Sequence, residues 1–168
     1  MLIFLLGMMG SGKTTLGKEL AEKLGHTFLD LDAVIEQKEN KTIAEIFATE
    51  GQERFRELER QALLTIVANN TQAVVATGGG TPCFFDNIAF MNTSGETIFL
   101  DVPTRSLAQR LSASDLSTRP LLADKTQSEL ISFLGKTLSE RRRFYEQAKH
   151  IVARPPYTIN ALLALLPL

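Results

Sequence analysis

Leu2 to Leu6 is an unbroken apolar run that stops at Gly7. A short continuous run of this kind suits a strand covered on both faces, as in a parallel sheet. A Gly-rich turn follows. From Thr14 to Leu24 the apolar residues recur at helical spacing, and Gly25 supplies the stop. Thr27 to Leu31 reads as a second strand. Asp32 to Lys38 and Thr42 to Thr49 read as short helices, the latter with Ile43, Ile46 and Phe47 on one face. Gln52 to Val67 reads as a longer helix anchored by Phe55, Leu58, Leu63 and Ile66.

The second half continues the alternation. Ala73 to Ala76 is a strand cut off by Thr77-Gly78-Gly79-Gly80, and Thr97 to Val102 is another. Arg105 to Leu111 reads as a helix. Ser112 to Thr118 is polar and reads as a mobile loop. Ser128 to Ala148 reads as a long helix and Ile151 to Ala153 as a fifth strand. Pro155-Pro156 interrupts the chain before a last apolar helix around Ala161 to Leu166. Strands alternating with helices predict an α/β fold with a parallel sheet. With no repeat or linker, residues 1–168 read as one domain.

Composition narrows the function. The chain has 168 residues, 44% hydrophobic and 22% charged, which is enough to bury a core without disulfides. Its net charge of -1 gives no general attraction to nucleic acid or anionic membrane, so small-molecule partners are expected. The single cysteine, Cys83, fits a reducing compartment. The apolar start is too short for a signal segment. The expectation is a cytoplasmic monomer.

The chemistry starts at Gly7-Met8-Met9-Gly10-Ser11-Gly12-Lys13-Thr14, which fits G-x-x-x-x-G-K-[ST] between a strand and a helix. Glycines let successive backbone N–H groups point at phosphate oxygens, and the helix N-terminus adds partial positive charge. Lys13 is expected at the β- and γ-phosphates, and the Thr14 hydroxyl on Mg²⁺. A second metal contact needs a carboxylate after an apolar strand. Asp101 ends one such strand. Asp30 and Asp32 end another, where residues two apart face one side, so one carboxylate can serve metal and the other an acceptor hydroxyl. Spacing favours the pair. The glycine triplet 78–80 lets backbone approach a ligand closely. Arg56, Arg119 and the run Arg141 to Arg143 are candidates to bind a carboxylate or to stabilise a transferring phosphoryl group. Spacing leaves the choice among the last three open.

Several segments then occur in one order: the phosphate loop, Phe28-Leu29-Asp30-Leu31-Asp32, Ile46-Phe47-Ala48 leading to Gly51, Phe55-Arg56 with Glu59, Gly78-Gly79-Gly80, Arg119-Pro120-Leu121-Leu122, and an arginine four before Tyr145. This set resembles the shikimate kinase family over roughly residues 2 to 150. The resemblance implies ATP-dependent phosphorylation of the shikimate 3-hydroxyl and a five-stranded parallel sheet of order 2-3-1-4-5, with a lid at about 112–124. It implies that Gly10, Ser11, Gly12, Lys13, Thr14 and Thr15 bind ATP phosphates, with Asp30 supporting Mg²⁺ through water. Asp32 would be the base, and Arg119 would act on the transferring phosphate. Arg56 and Arg141 would clamp the carboxylate, with Gly78, Gly79, Gly80, Phe47 and Phe55 completing that pocket. Arg110, Arg154 and Pro155 would meet adenine. The rivals are a gluconate-type kinase with another acceptor pocket, and a nucleotide-binding module that has lost catalysis. Lys13, Asp32 and Arg119 are all present, against the second.

Overall fold

Strand β1 (Leu2–Leu6) lies at the centre of the sheet, and each of its residues is buried. The structure, a computed structural model, describes residues 1–114 and 120–168. β1 pairs in parallel with β3 (Ala73–Ala76) on one edge and β4 (Glu96–Leu100) on the other. β2 (Thr27–Asp30) adds beside β3, and β5 (His150–Val152) beside β4. The order is β2-β3-β1-β4-β5, as expected.

Side chains alternate across a strand, so the apolar run of β1 feeds two cores. Leu2, Phe4 and Leu6 pack with residues of α3 (Ile43–Asn69), α5 (Thr104–Ser112) and α7 (Gln127–Tyr145). Ile3 and Leu5 pack on the other face with Leu16, Leu20 and Ala21 of α1 (Lys13–Leu24) and Leu162 of α8 (Ile159–Leu163). Each fully buried Leu or Phe contributes about 1.5–3 kcal/mol. The result is helices on both faces of one sheet.

The structure departs from the sequence reading at four places. The strand predicted to run through Leu31 ends at Asp30, because the Asp30 carboxylate caps α2 (Leu31–Glu39) by accepting from the Asp32 and Ala33 amides. Asp32 is therefore in a first helical turn, and the two-residue strand spacing does not relate it to Asp30. The helices predicted at 42–49 and 52–67 form one element, α3, kinked at Gly51 with φ 83°. Phe47 and Phe55 stack across that kink with centroids 4.6 Å apart. Two further helices, α4 (Asn87–Ser94) and α6 (Pro120–Ala123), had no counterpart in the periodicity. The final helix starts earlier than expected, at Ile159, where Thr158 caps it.

All five strands run the same way, so the ends of β1, β2 and β3 meet along one edge. Thr77 fixes the end of β3 to β1, donating both its amide and its hydroxyl to the Leu5 carbonyl. The glycine triplet follows at once.

Gly95, between α4 and β4, is a close-approach position. A Cβ there would lie 2.3 Å from the Leu2 carbonyl oxygen and 2.9 Å from its carbon. Backbone of the central strand cannot yield as a side-chain tip can. Gly95→Ala should cost about 1–3 kcal/mol. Thermal unfolding should show a Tm lowered by several degrees.

Candidate active site

The chain leaving β1 turns through Gly10 at φ 79° and Gly12 at φ 99°, conformations open to glycine but strained for other residues. α1 then begins at Lys13. Gly10, Ser11, Gly12, Lys13, Thr14 and Thr15 all line a cavity of about 940 Å³. The Lys13 ammonium donates to the carbonyls of Gly7 at 2.8 Å and Met8 at 2.9 Å, which keeps it at the mouth of the loop. The Thr14 hydroxyl donates to Asp30 Oδ2 at 3.2 Å.

That hydroxyl and carboxylate form a donor set of hard oxygens, which suits Mg²⁺. Among the described residues no group of three or more His, Cys, Asp or Glu could hold a metal ion by itself. A magnesium held by one or two protein oxygens, with phosphates and waters completing an octahedron, needs no such cage. The residues present therefore fit the ion. Asp101 does not line this cavity, and its carboxylate is taken by a two-pronged bond from Arg142, at 2.9 and 3.1 Å.

A second cavity of about 320 Å³ adjoins the first. Phe47, Phe55, Arg56, Arg141 and the triplet Gly78, Gly79, Gly80 line it, as does Glu59. Asp32, Gly78 and Gly79 line both cavities. Asp32 thus stands at the junction of a phosphate site and an acceptor site. Burial, reinforced by the charges of Glu59 and Asp30, pushes its carboxyl up to about 6. Its Oδ1 is buried without a hydrogen-bond partner.

The open choice among the late arginines is resolved by α7. Residues one apart on a helix differ by about 100° in direction. Arg141 faces the second cavity, where a Cβ on Gly79 would come within 2.7 Å of its Nη1. Arg142 faces Asp101, and exposed Arg143 sits over the Phe144 ring. One turn on, the buried Tyr145 hydroxyl donates to the Gly79 carbonyl, and burial raises its pKa to about 12, so it remains a donor.

Arg56 is the other cation of this cavity. Its Nη1 bonds Glu59 Oε1 at 2.9 Å, while its Nε is buried without a partner. Glu59 is fully excluded from water and also accepts from the Thr81 hydroxyl at 2.6 Å. The sequence places Glu59 beside Arg56 without giving it a task. Only the fold shows that it is the buried counter-charge, because Thr81 arrives from 22 residues away.

On the nucleotide side, Arg110 donates to the carbonyls of Gly10 and Ser11, each at 3.2 Å, and lies 5.8 Å from the Tyr157 ring centroid. Tyr157, Thr158, Ile159 and Asn160 line the large cavity there. Arg154 and Pro155 are exposed and do not line it. Tyr157 escaped the sequence reading because a lone tyrosine after a proline pair carries no motif. Arg119 lies outside the described residues, as does part of the expected lid at 112–124.

Comparison with known proteins agrees with this geometry. The family model described as shikimate kinase matches residues 9–159. A shikimate kinase of Phocaeicola vulgatus is 49% identical over 149 residues, covering 89% of this chain and 84% of its own. The crystal structure of shikimate kinase from Bacteroides thetaiotaomicron superposes with a TM-score of 0.91 at 42% identity, covering 99% of this chain and 98% of that one. Shikimate kinase from Acinetobacter baumannii, solved in complex with shikimate, gives a TM-score of 0.85 at 34% identity, covering 97% and 88%. With a family match across most of its length and relatives nearly half identical to it, this chain belongs to the shikimate kinase family.

Proposed function

We propose that the chain transfers the γ-phosphoryl group of ATP to the 3-hydroxyl of shikimate, giving shikimate 3-phosphate and ADP. The observation that carries this reading is the placement of Asp32. A half-buried carboxylate with one buried, unpartnered oxygen sits where the phosphate cavity meets a smaller cavity that holds two arginines. A hydroxylated carboxylic acid fits that smaller cavity. Its carboxylate takes Arg56 and Arg141, its ring lies against Phe47 and Phe55, and its hydroxyl reaches Asp32. The relatives named above support shikimate as that acid.

Phosphoryl transfer depends on in-line placement and charge neutralisation more than on covalent chemistry. The phosphate-loop amides and Lys13 hold the β- and γ-phosphates. Thr14 and Asp30 would hold Mg²⁺, which when bound would neutralise charge on the ATP phosphate oxygens. Asp32 accepts the proton of the 3-hydroxyl as that oxygen bonds to Pγ and the bond from Pγ to the β,γ-bridging oxygen of ATP breaks. Arg119, placed by its position in the Arg-Pro-Leu-Leu motif, adds positive charge at the transferring group. Arg110 and the segment around Tyr157 flank the nucleotide base.

The direct test is ADP release from Mg-ATP with shikimate, with gluconate and with no acceptor. Turnover with shikimate alone is expected. Release with gluconate, or none with either acid, overturns the assignment.

The two clamp arginines should separate in a second experiment. Arg56→Ala and Arg141→Ala should each raise KM for shikimate about 10- to 150-fold, the scale of a lost charged hydrogen bond. Arg56→Ala should also lower Tm, because Glu59 then lies buried without its cation. Arg141→Ala should not lower it comparably.

Asp32 generates a pH prediction. In the free enzyme kcat/KM should fall as pH drops below about 6, where this carboxyl takes up a proton. Asp32→Asn should lower kcat at least about 100-fold. The same variant should be more stable than the parent at pH 7.5. The folded carboxyl titrates near 6 and the reference one at 3.8, so the native state holds the extra proton between those values. Stability linked to the neutral form is complete below 3.8 and lost as pH rises through 6. Asparagine avoids that loss, a gain of about 1–3 kcal/mol at pH 7.5. Thermal unfolding at pH 7.5 and pH 4 measures it, and the gap should close at the lower pH.

A further inference from the structure

Phe84 is an aromatic residue that the mechanism leaves unused, although it lies against a group the mechanism needs. Its ring centroid is 4.1 Å from Cζ of Arg56, nearer than the 5.1 Å of the Phe55 ring. Unlike Phe55, it does not line the acceptor cavity. It borders a separate shallow pocket on the surface, shared with Arg56, Glu53 and Phe85. Whatever Phe84 does for substrate must therefore pass through Arg56.

The backbone around it is arranged at a cost. Thr81–Cys83 forms a 3-10 turn, and Phe85 then adopts φ 50°. The left-handed region is unfavourable for a bulky aromatic residue. That turn is closed by the Asn87 amide bonding the Phe84 carbonyl, and by the Asn87 side chain bonding the Thr81 carbonyl. It leaves Phe85 62% exposed and lays Phe84 on the guanidinium.

Arg56 is confined on its other sides too. Glu59 holds Nη1. A Cβ on Gly80 would fall 2.5 Å from Nη2 and 2.8 Å from Cζ, so the guanidinium lies against bare backbone there. Nε is buried without a partner. A ring is well suited to the Phe84 position. It attracts the cation through its face and offers no acceptor oxygen that would compete for a donor.

We propose that Phe84 is a positioning residue of the carboxylate clamp, holding the Arg56 guanidinium in place for the substrate carboxylate. The proposal rests on the shikimate kinase reading above. It predicts an effect on acid binding alone, transmitted by Arg56.

Steady-state kinetics of the full chain test it. Phe84→Leu should raise KM for shikimate about 3- to 30-fold, the range of a partly desolvated cation–π contact, with kcat and KM for ATP unchanged. Phe84→Tyr, which keeps the ring, should restore the parent KM. Phe84→Met keeps bulk without a ring and should behave like Phe84→Leu, so the comparison survives if one variant fails to fold. In an Arg56→Ala background Phe84→Leu should produce no further change in kcat/KM for shikimate. An unchanged KM in both ringless variants, a KM in Phe84→Tyr raised as far as theirs, or an added loss in the Arg56→Ala background overturns the proposal. If the parent chain itself shows no shikimate-dependent ADP release, the functional reading has failed. If the parent turns over and the ringless variants match it, only the role of Phe84 has.

Discussion

β1 is paired on both edges and covered on both faces, so none of its residues can turn to water. It runs parallel to both neighbours, and parallel strands need connections that cross over the sheet, here helices. Every strand then ends at the same edge. The loop after β1, the cap after β2 and the glycine triplet after β3 are brought side by side by that requirement alone. The phosphate loop supplies backbone amides, the cap supplies carboxylates, and the triplet supplies bare backbone. Catalytic geometry here follows from the way the core is filled.

Charge is distributed along this edge with equal economy. Burial, and then crowding with Glu59 and Asp30, raises the proton affinity of Asp32. Glu59 is offset by Arg56, and Thr14 bonds Asp30. Asp32 is the member left with a buried oxygen unpaired. An enzyme that must take a proton from a weakly acidic hydroxyl gains from a base whose affinity is raised toward neutrality. A cation bound beside these carboxylates would offset part of the negative charge that the fold brings together.

Contiguous features were readable from the sequence, and features assembled across the fold were not. The phosphate loop depends on backbone and on a fixed spacing, so Gly7 to Thr14 could be recognised without any neighbour. The sheet order followed from the family resemblance. The pair Asp30 and Asp32 was found as residues but assigned the wrong geometry, because a carboxylate that caps its own helix looks, in sequence, like the end of a strand. Spacing could not choose Arg141 over Arg142; the family resemblance named Arg141, and Asp101, 41 residues away, is what occupies Arg142. Glu59 needed Thr81 to reveal its burial, and α4 is too short to impose a period. The reading divides helix α3 into 42–49 and 52–67, whereas the packed rings of Phe47 and Phe55 carry the element across the kink at Gly51.

Gly79 and Gly80 have a meaning beyond chain flexibility. A methyl group on either would collide with a guanidinium, Arg141 in one case and Arg56 in the other. The backbone and the cations are therefore matched in shape, as a lock's wards are to a key's cuts. Bulk added at either glycine would push a guanidinium tip out of its seat, so a change in this stretch of bare backbone is felt first as a loosened hold on a carboxylate.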